Sequence, residues 1–138
     1  MTSSRTVVQP ASHPDPAGNY STAIRAPLTA GTSLLFISGQ VAKAPDGTPT
    51  AIGDAGGQTA RIFDLIEEIL DEAGGSIDDL VALTIYIVDM ADFSAVTTVR
   101  NKRLGASPPT SAIIQVSGFA RREFLVEITA TALLGEAP

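Results

Sequence analysis

Few side chains in this sequence can do chemistry, and their surroundings limit what that chemistry is. There is no cysteine, hence no thiolate nucleophile, no disulfide and no cysteine metal site. The single histidine, His13, stands in a leader rich in Pro, Ser and Asp and cannot anchor a zinc ion alone. No metal or other cofactor is therefore expected. Glu127 is a lone carboxylate in a strand-like run, and a positioned carboxylate can relay protons as a general acid or base. Alternation by itself says only that Glu127 lies on the polar side of a half-buried strand. Arg121 and Arg122 stand just before that run, and Arg100, Lys102 and Arg103 form a second basic cluster. The second cluster reads as a solvated helix end whose cations complement the helix dipole.

The elements that must position these groups follow from pattern. Leu34–Gly39 is a short apolar run ending at glycine, read as a buried strand. The segment from Lys43 to Gly57 is rich in Gly, Pro and Asp and reads as turn and loop. From about Gln58 to Ala73, Ile62, Leu65, Ile66, Ile69, Leu70 and Ala73 recur at helical spacing, and Gly74-Gly75 ends the helix. Glu67, Glu68, Asp71 and Glu72 fall off that stripe and give a solvated acidic face. Leu80–Val88 is β-branched and apolar, a strand. A second helix is expected over Asp92–Leu104 with Phe93, Val96 and Val99 facing inward. Pro108-Pro109 stops it and hands over to a strand at Ser111–Val116. In the last strand, Phe124–Leu133, the residues Val126, Ile128, Ala130 and Ala132 alternate with Leu125, Glu127, Thr129 and Thr131. Residues 1–19 read as a loose leader, with Arg5–Val8 able to form an edge strand, and 135–138 as a tail. The whole of 1–138 is read as one domain, an α+β layer fold with two helices on one face of a mixed sheet.

Composition narrows the function classes. Lys and Arg total 9 against 15 Asp and Glu, and the resulting net charge of −6 opposes nucleic-acid binding. No apolar run approaches the roughly 20 residues that cross a bilayer, and no secretory signal is visible at the start, so no membrane association and a cytoplasmic location are expected. Hydrophobic residues nonetheless make up 44% of the chain and mean hydropathy is positive. That surplus suits subunit interfaces, which would also cover the second face of the sheet.

Several motifs in order point to one family. Asn19-Tyr20-Ser21, Phe36-Ile37-Ser38-Gly39-Gln40, Asp79-Leu80-Val81 through Tyr86, Val88 and Asp92-Phe93, and Phe119-Ala120-Arg121-Arg122-Glu123-Phe124-Leu125-Val126-Glu127-Ile128 resemble the successive motifs of the reactive-intermediate deaminase (Rid, or YjgF-type) family. The resemblance runs roughly from Tyr20 to Leu134, with Pro27–Ser33 a few residues longer than usual. It implies a chorismate-mutase-like fold and a homotrimer built around a barrel of three sheets. Small-molecule clefts would lie at the subunit interfaces, and the substrates would be enamines and imines hydrolysed to keto acids and ammonia.

The resemblance also assigns residues, and here this chain departs from the pattern. Where active members carry a substrate-gripping arginine, Thr110 follows Pro108-Pro109. A hydroxyl is one neutral donor in place of a cationic fork, and losing a charge-assisted hydrogen bond weakens carboxylate binding by roughly 10- to 150-fold. The family's frequent cysteine aligns with Ala112, and its second-helix asparagine with Thr97. Glu127 matches the carboxylate that positions or activates the hydrolytic water. Ser38 and Gly39 would place a hydroxyl and a backbone N–H near the ligand, or merely end a strand in a tight turn. Tyr20 would close the cleft or pack at an interface, and Arg121 or Arg122 could replace the missing cation. These residues imply a hydrolase acting on an enamine or imine, or on a related substrate lacking a carboxylate. A non-catalytic ligand-binding trimer with a degenerate cleft is the other reading. RNA cleavage fits worst, given the acidic balance.

Overall fold

Pairing of six strands organises the molecule, and the computed structural model describes it over residues 6–18 and 20–135. Arg5 of the expected edge strand, Asn19 of the tyrosine motif and residues 136–138 of the tail lie outside the described residues. In chain order the elements are β1 (Thr6–Val8), β2 (Ala23–Thr29), β3 (Thr32–Gln40), α1 (Ala55–Glu72), β4 (Leu80–Ile87), α2 (Phe93–Arg103), β5 (Thr110–Gln115) and β6 (Val126–Leu134). The sheet order is β1-β2-β3-β6-β4-β5. All neighbours are antiparallel except β4 and β5, which run parallel because α2 carries the chain back between them. The α+β arrangement expected from the sequence is the one observed.

The core lies between α1 and one face of the sheet. Ile62, Ile66 and Ile69 of the helical stripe meet Leu35, Ile85, Ile87 and Ile128 from the strands, all fully buried. Asp54 caps the start of α1 by accepting the Gly57 amide at 2.9 Å. At the other end Gly74 takes the left-handed conformation (φ 82°), and the Gly75 amide closes onto the Leu70 carbonyl at 2.8 Å.

The structure departs from the sequence reading at four points. First, Ala23–Thr29 is a strand in a stretch where the sequence pattern suggests no element. Pro27 lies beside a register shift against β3, an irregularity of the kind that tolerates a missing amide. Second, the described part of the leader is not loose. Its β1 pairs with β2, and His13 is buried with Nε2 3.2 Å from the Leu65 carbonyl and 3.1 Å from a Glu68 carboxylate oxygen. Third, the acidic and basic faces are not simply solvated. Arg103 reaches from α2 to Asp64 at 2.8 Å and Glu67 at 3.1 Å, donates to the Ala60 carbonyl and lies over the Phe63 ring. Fourth, within α2 only Val96 is buried, while Phe93 is 47% exposed.

Among the described residues, nothing packs on the other face of the sheet. Burial alternates along β6, so Glu127, Thr129 and Thr131 point away from the helices. In register with them are Tyr86, Thr84 and Ala82 of β4, then Ile114, Ala112 and Thr110 of β5. Phe36, Val81, Ile114 and Leu133 expose apolar surface that an isolated sheet would leave wet.

Candidate functional site

A bulge at the end of β3 builds the candidate site. Ile37 pairs with Ala130 of β6, but the next pairing is Gln40 with Ile128, so Ser38 and Gly39 together face a single partner residue. Bulges of this kind re-aim side chains locally. Here the bulge brings bare backbone under the Glu127 side chain. A Cβ added to Gly39 would stand 2.6 Å from Glu127 Oε2, so only glycine fits beneath the carboxylate in this position.

Around this contact lies a cleft of about 510 Å³. Its polar groups include Glu127, Lys43, Tyr20 and Arg121, and its apolar wall includes Val41, Phe119 and Phe124. Pro14, Asp15 and Ala17 from the leader complete one rim, and Asp46 and Gly47 another. Each wall is tethered. Fully buried Gln58 of α1 donates to the Glu123 carbonyl at 2.8 Å and accepts the Leu125 amide at 2.8 Å, fixing the approach to β6. On the leader side, Gln9 donates to the Pro14 carbonyl at 3.2 Å and accepts the Thr22 hydroxyl at 2.6 Å. The Ser38 hydroxyl donates to the Ser21 carbonyl at 2.6 Å and its amide to Thr22, holding the segment that carries Tyr20.

Electrostatics single out two of the lining groups. Burial pushes the Glu127 carboxyl above its ordinary value, with Lys43 opposing the shift. Burial, helped by Arg61, pulls the Lys43 ammonium below the ordinary lysine value, with Glu127 opposing. A carboxyl raised toward neutrality is better matched to accepting and returning a proton near pH 7. A larger groove of about 580 Å³ lies along α1, but the ionisable groups lining it are all acidic, Asp64, Glu67, Glu68 and Asp71, and the first two are already paired with Arg103.

The residues expected from sequence divide between this cleft and elsewhere. Glu127, Gly39 and Tyr20 meet in it, and Arg121 joins its rim while bonded to Glu123 at 2.9 Å. Ser38 supports the cleft through Ser21 and is not among its lining residues. Thr110 and Ala112 share the uncovered face with Glu127, but β4 stands between β5 and β6. Strand spacing puts them about 10 Å across the sheet from Glu127, Ala112 about 7 Å along it and Thr110 about 13 Å. Within one protomer neither reaches the cleft, and the Thr110 hydroxyl instead donates to the Val81 carbonyl at 3.2 Å. Thr97 is on α2, its hydroxyl directed to the Ser94 carbonyl at 3.2 Å. Lys43 was not among the expected site residues. Its run of Gly, Pro and Asp marks a turn, and nothing in that pattern tells which way the turn folds.

Comparison with known proteins places the chain among relatives. The family model described as Endoribonuclease L-PSP matches residues 10–134. A RutC family protein of Pyrococcus abyssi is 34% identical over 119 residues, covering 86% of this chain and 89% of the relative. The 3-aminoacrylate deaminase RutC of Acinetobacter baylyi is 28% identical, covering 91% of this chain and 95% of its own. Among solved structures, RidA from an Antarctic Psychrobacter superposes with a TM-score of 0.79 at 26% identity, covering 92% of this chain and 98% of its own. Among the described residues no helix is long and apolar enough to cross a membrane, and no group of three or more His, Cys, Asp or Glu could hold a metal ion.

Proposed function

This chain belongs to the endoribonuclease L-PSP family, as its Rid-type motifs imply, and from that premise we propose that its cleft hydrolyses a small enamine or imine, with Glu127 handling the protons. The observation that carries the reading is the half-buried Glu127 carboxyl, raised by desolvation and seated over Gly39 within a cleft of molecular size. As base, Glu127 takes a proton from water while the oxygen attacks the imine carbon. As acid, it returns that proton to the nitrogen, giving a carbinolamine; a second relay moves the carbinolamine hydroxyl proton to the nitrogen as the C–N bond breaks, leaving a carbonyl compound and ammonia. Assistance of this kind is worth roughly 10²–10⁴-fold in rate. The deaminase among the relatives, acting by its name on 3-aminoacrylate, supports the reaction class.

The working unit we propose is a homotrimer. The exposed apolar groups on the uncovered sheet face favour it, because further copies would remove Phe36, Val81, Ile114 and Leu133 from water. In such an assembly Thr110 and Ala112 of one copy would approach the Glu127 cleft of another, giving the interface site that a single protomer does not complete. Light scattering in solution tests the assembly; a stable monomer at micromolar concentration would defeat it.

Ammonia release tests the chemistry. Freshly generated imines and enamines, acidic and neutral, should be hydrolysed faster with the protein than without it, and Glu127→Gln should remove at least about 100-fold of the acceleration. No acceleration across the panel would leave the second reading, a ligand-binding trimer without turnover. The specific observation favouring that reading is Thr110, a neutral hydroxyl already spent on Val81. The net charge of −6 argues against RNA as substrate despite the family's description.

A further inference from the structure

Lys43 is held from its backbone with unusual thoroughness for a loop residue. Arg61 of α1 donates through Nε to its carbonyl at 2.9 Å, and Lys43 bridges to Pro49 across a tight turn. That turn is closed by the Ala44 amide on the Thr48 carbonyl at 2.8 Å and by Asp46, which accepts both the amide and the hydroxyl of Thr48. The stem of the side chain therefore starts from a fixed point on the cleft wall.

Its charge lacks a direct answer. Among the described residues no ion pair joins Lys43 to Glu127, although each is close enough to perturb the other's ionisation. The other cation of the rim, Arg121, is more than half exposed and bonded to Glu123. Asp46 is occupied by Thr48. Lys43 and Glu127 thus line the same cleft as opposite charges without closing on each other, with apolar walls at Val41, Phe119 and Phe124. A partly desolvated cation gains more from an incoming anion than one in bulk water does.

We infer that Lys43 is the specificity-determining cation of this cleft, holding the anionic end of a small bipolar ligand whose nitrogen meets Glu127. The inference rests on the proposed function for the identity of the cleft. Of the two substrate types that the sequence leaves open, it favours the one with a carboxylate, because the charge that Thr110 does not supply comes from the turn after β3 in the same protomer as Glu127. The ligand class is a small organic carboxylate bearing an imine or enamine nitrogen. An ammonium is a point charge on a flexible stem and not a planar fork, so the site would tolerate variation in how the carboxylate is presented.

Binding of stable probes separates this inference from the chemistry. The probes are 2-oxobutanoate and its primary amide, nearly equal in size and differing in one charge, titrated into the intact protein and followed by NMR. The anion should bind about tenfold more tightly than the amide, the lower end of what a charge-assisted hydrogen bond supplies, since the cleft is partly open to water. Lys43→Met should reduce that preference to about twofold or less while leaving the amide's affinity in place, and Lys43→Gln repeats the comparison with a polar side chain. Lys43→Arg should retain most of the preference. An absent preference in the parent protein, or one that survives both neutral substitutions, overturns the inference. A preference dependent on Lys43 in a protein that releases no ammonia from any imine would uphold this inference and defeat only the hydrolytic reading.

Discussion

Replacing Gly39 by alanine is the sharpest test of how the site is built. The added Cβ would stand 2.6 Å from Glu127 Oε2, 2.7 Å from Cδ and 3.1 Å from Cγ, where ordinary contact begins at 3.4 Å. The carboxylate must therefore retreat by about 0.8 Å or swing to another rotamer, since the backbone beneath it is held on either side by the pairings of Ile37 with Ala130 and Gln40 with Ile128. Leaving a preferred rotamer costs about 0.5–1.5 kcal/mol, so melting should fall by only a few degrees. A displacement of about 1 Å in a catalytic group can cost on the order of 100-fold in rate. Gly39→Ala should therefore look like a catalytic variant, with ammonia release cut by about that factor. A second readout needs no substrate. The Glu127 carboxyl, titrated by NMR, should move down toward its ordinary value as it swings toward water. Unchanged turnover with an unchanged Glu127 titration would refute the close contact. A loss of stability above about 3 kcal/mol would mean that the backbone gives way and not the carboxylate.

Other predictions concern linkage and packing. Glu127 ionises less readily folded than unfolded, so the native state holds the extra proton and its ionisation erodes stability as pH rises through the raised value. Glu127→Gln should accordingly raise the melting temperature at pH 7 and have little effect well below pH 4.5, the ordinary carboxyl value; the opposite order in calorimetry would contradict the desolvation argument. His13 has the reverse linkage: burial, the largest influence, with Lys43 and Arg61, lowers its pKa against Glu68 and the Leu65 carbonyl. Its contribution is complete above 6.5 and is lost as pH falls through and below that value. Thermal melts between pH 7.5 and 5 should show that loss in the parent and a smaller one in His13→Gln, with equal slopes counting against it. Arg103→Ala should cost about 1 kcal/mol in a denaturant melt, the ion pairs being discounted for exposed partners and the Phe63 contact and Ala60 hydrogen bond retained in the sum. A change near zero would mean that water replaces all of these contacts.

The sequence by itself determined the elements whose pattern is local. α1 reads from the spacing of Ile62, Leu65, Ile66 and Ile69 because a helix repeats every 3.6 residues. β6 reads from Val126, Ile128 and Ala130 alternating with Glu127 and Thr129 because strand side chains alternate faces. Ordered motifs carried the family and brought Glu127, Gly39 and Tyr20 into consideration together. β2 was illegible because Pro27 is tolerated beside an irregularity in the pairing with β3, a matter of strand partners and not of local pattern. His13 looked idle for the same reason, since its partners Leu65 and Glu68 lie more than fifty residues away. Tertiary structure alone decided that β4 separates Thr110 and Ala112 from Glu127, and that the turn carrying Lys43 folds toward the carboxylate. Periodicity reports which face of its own element a residue occupies. Which charges share a cleft depends on strand order and loop direction, and these are set by packing across the whole chain.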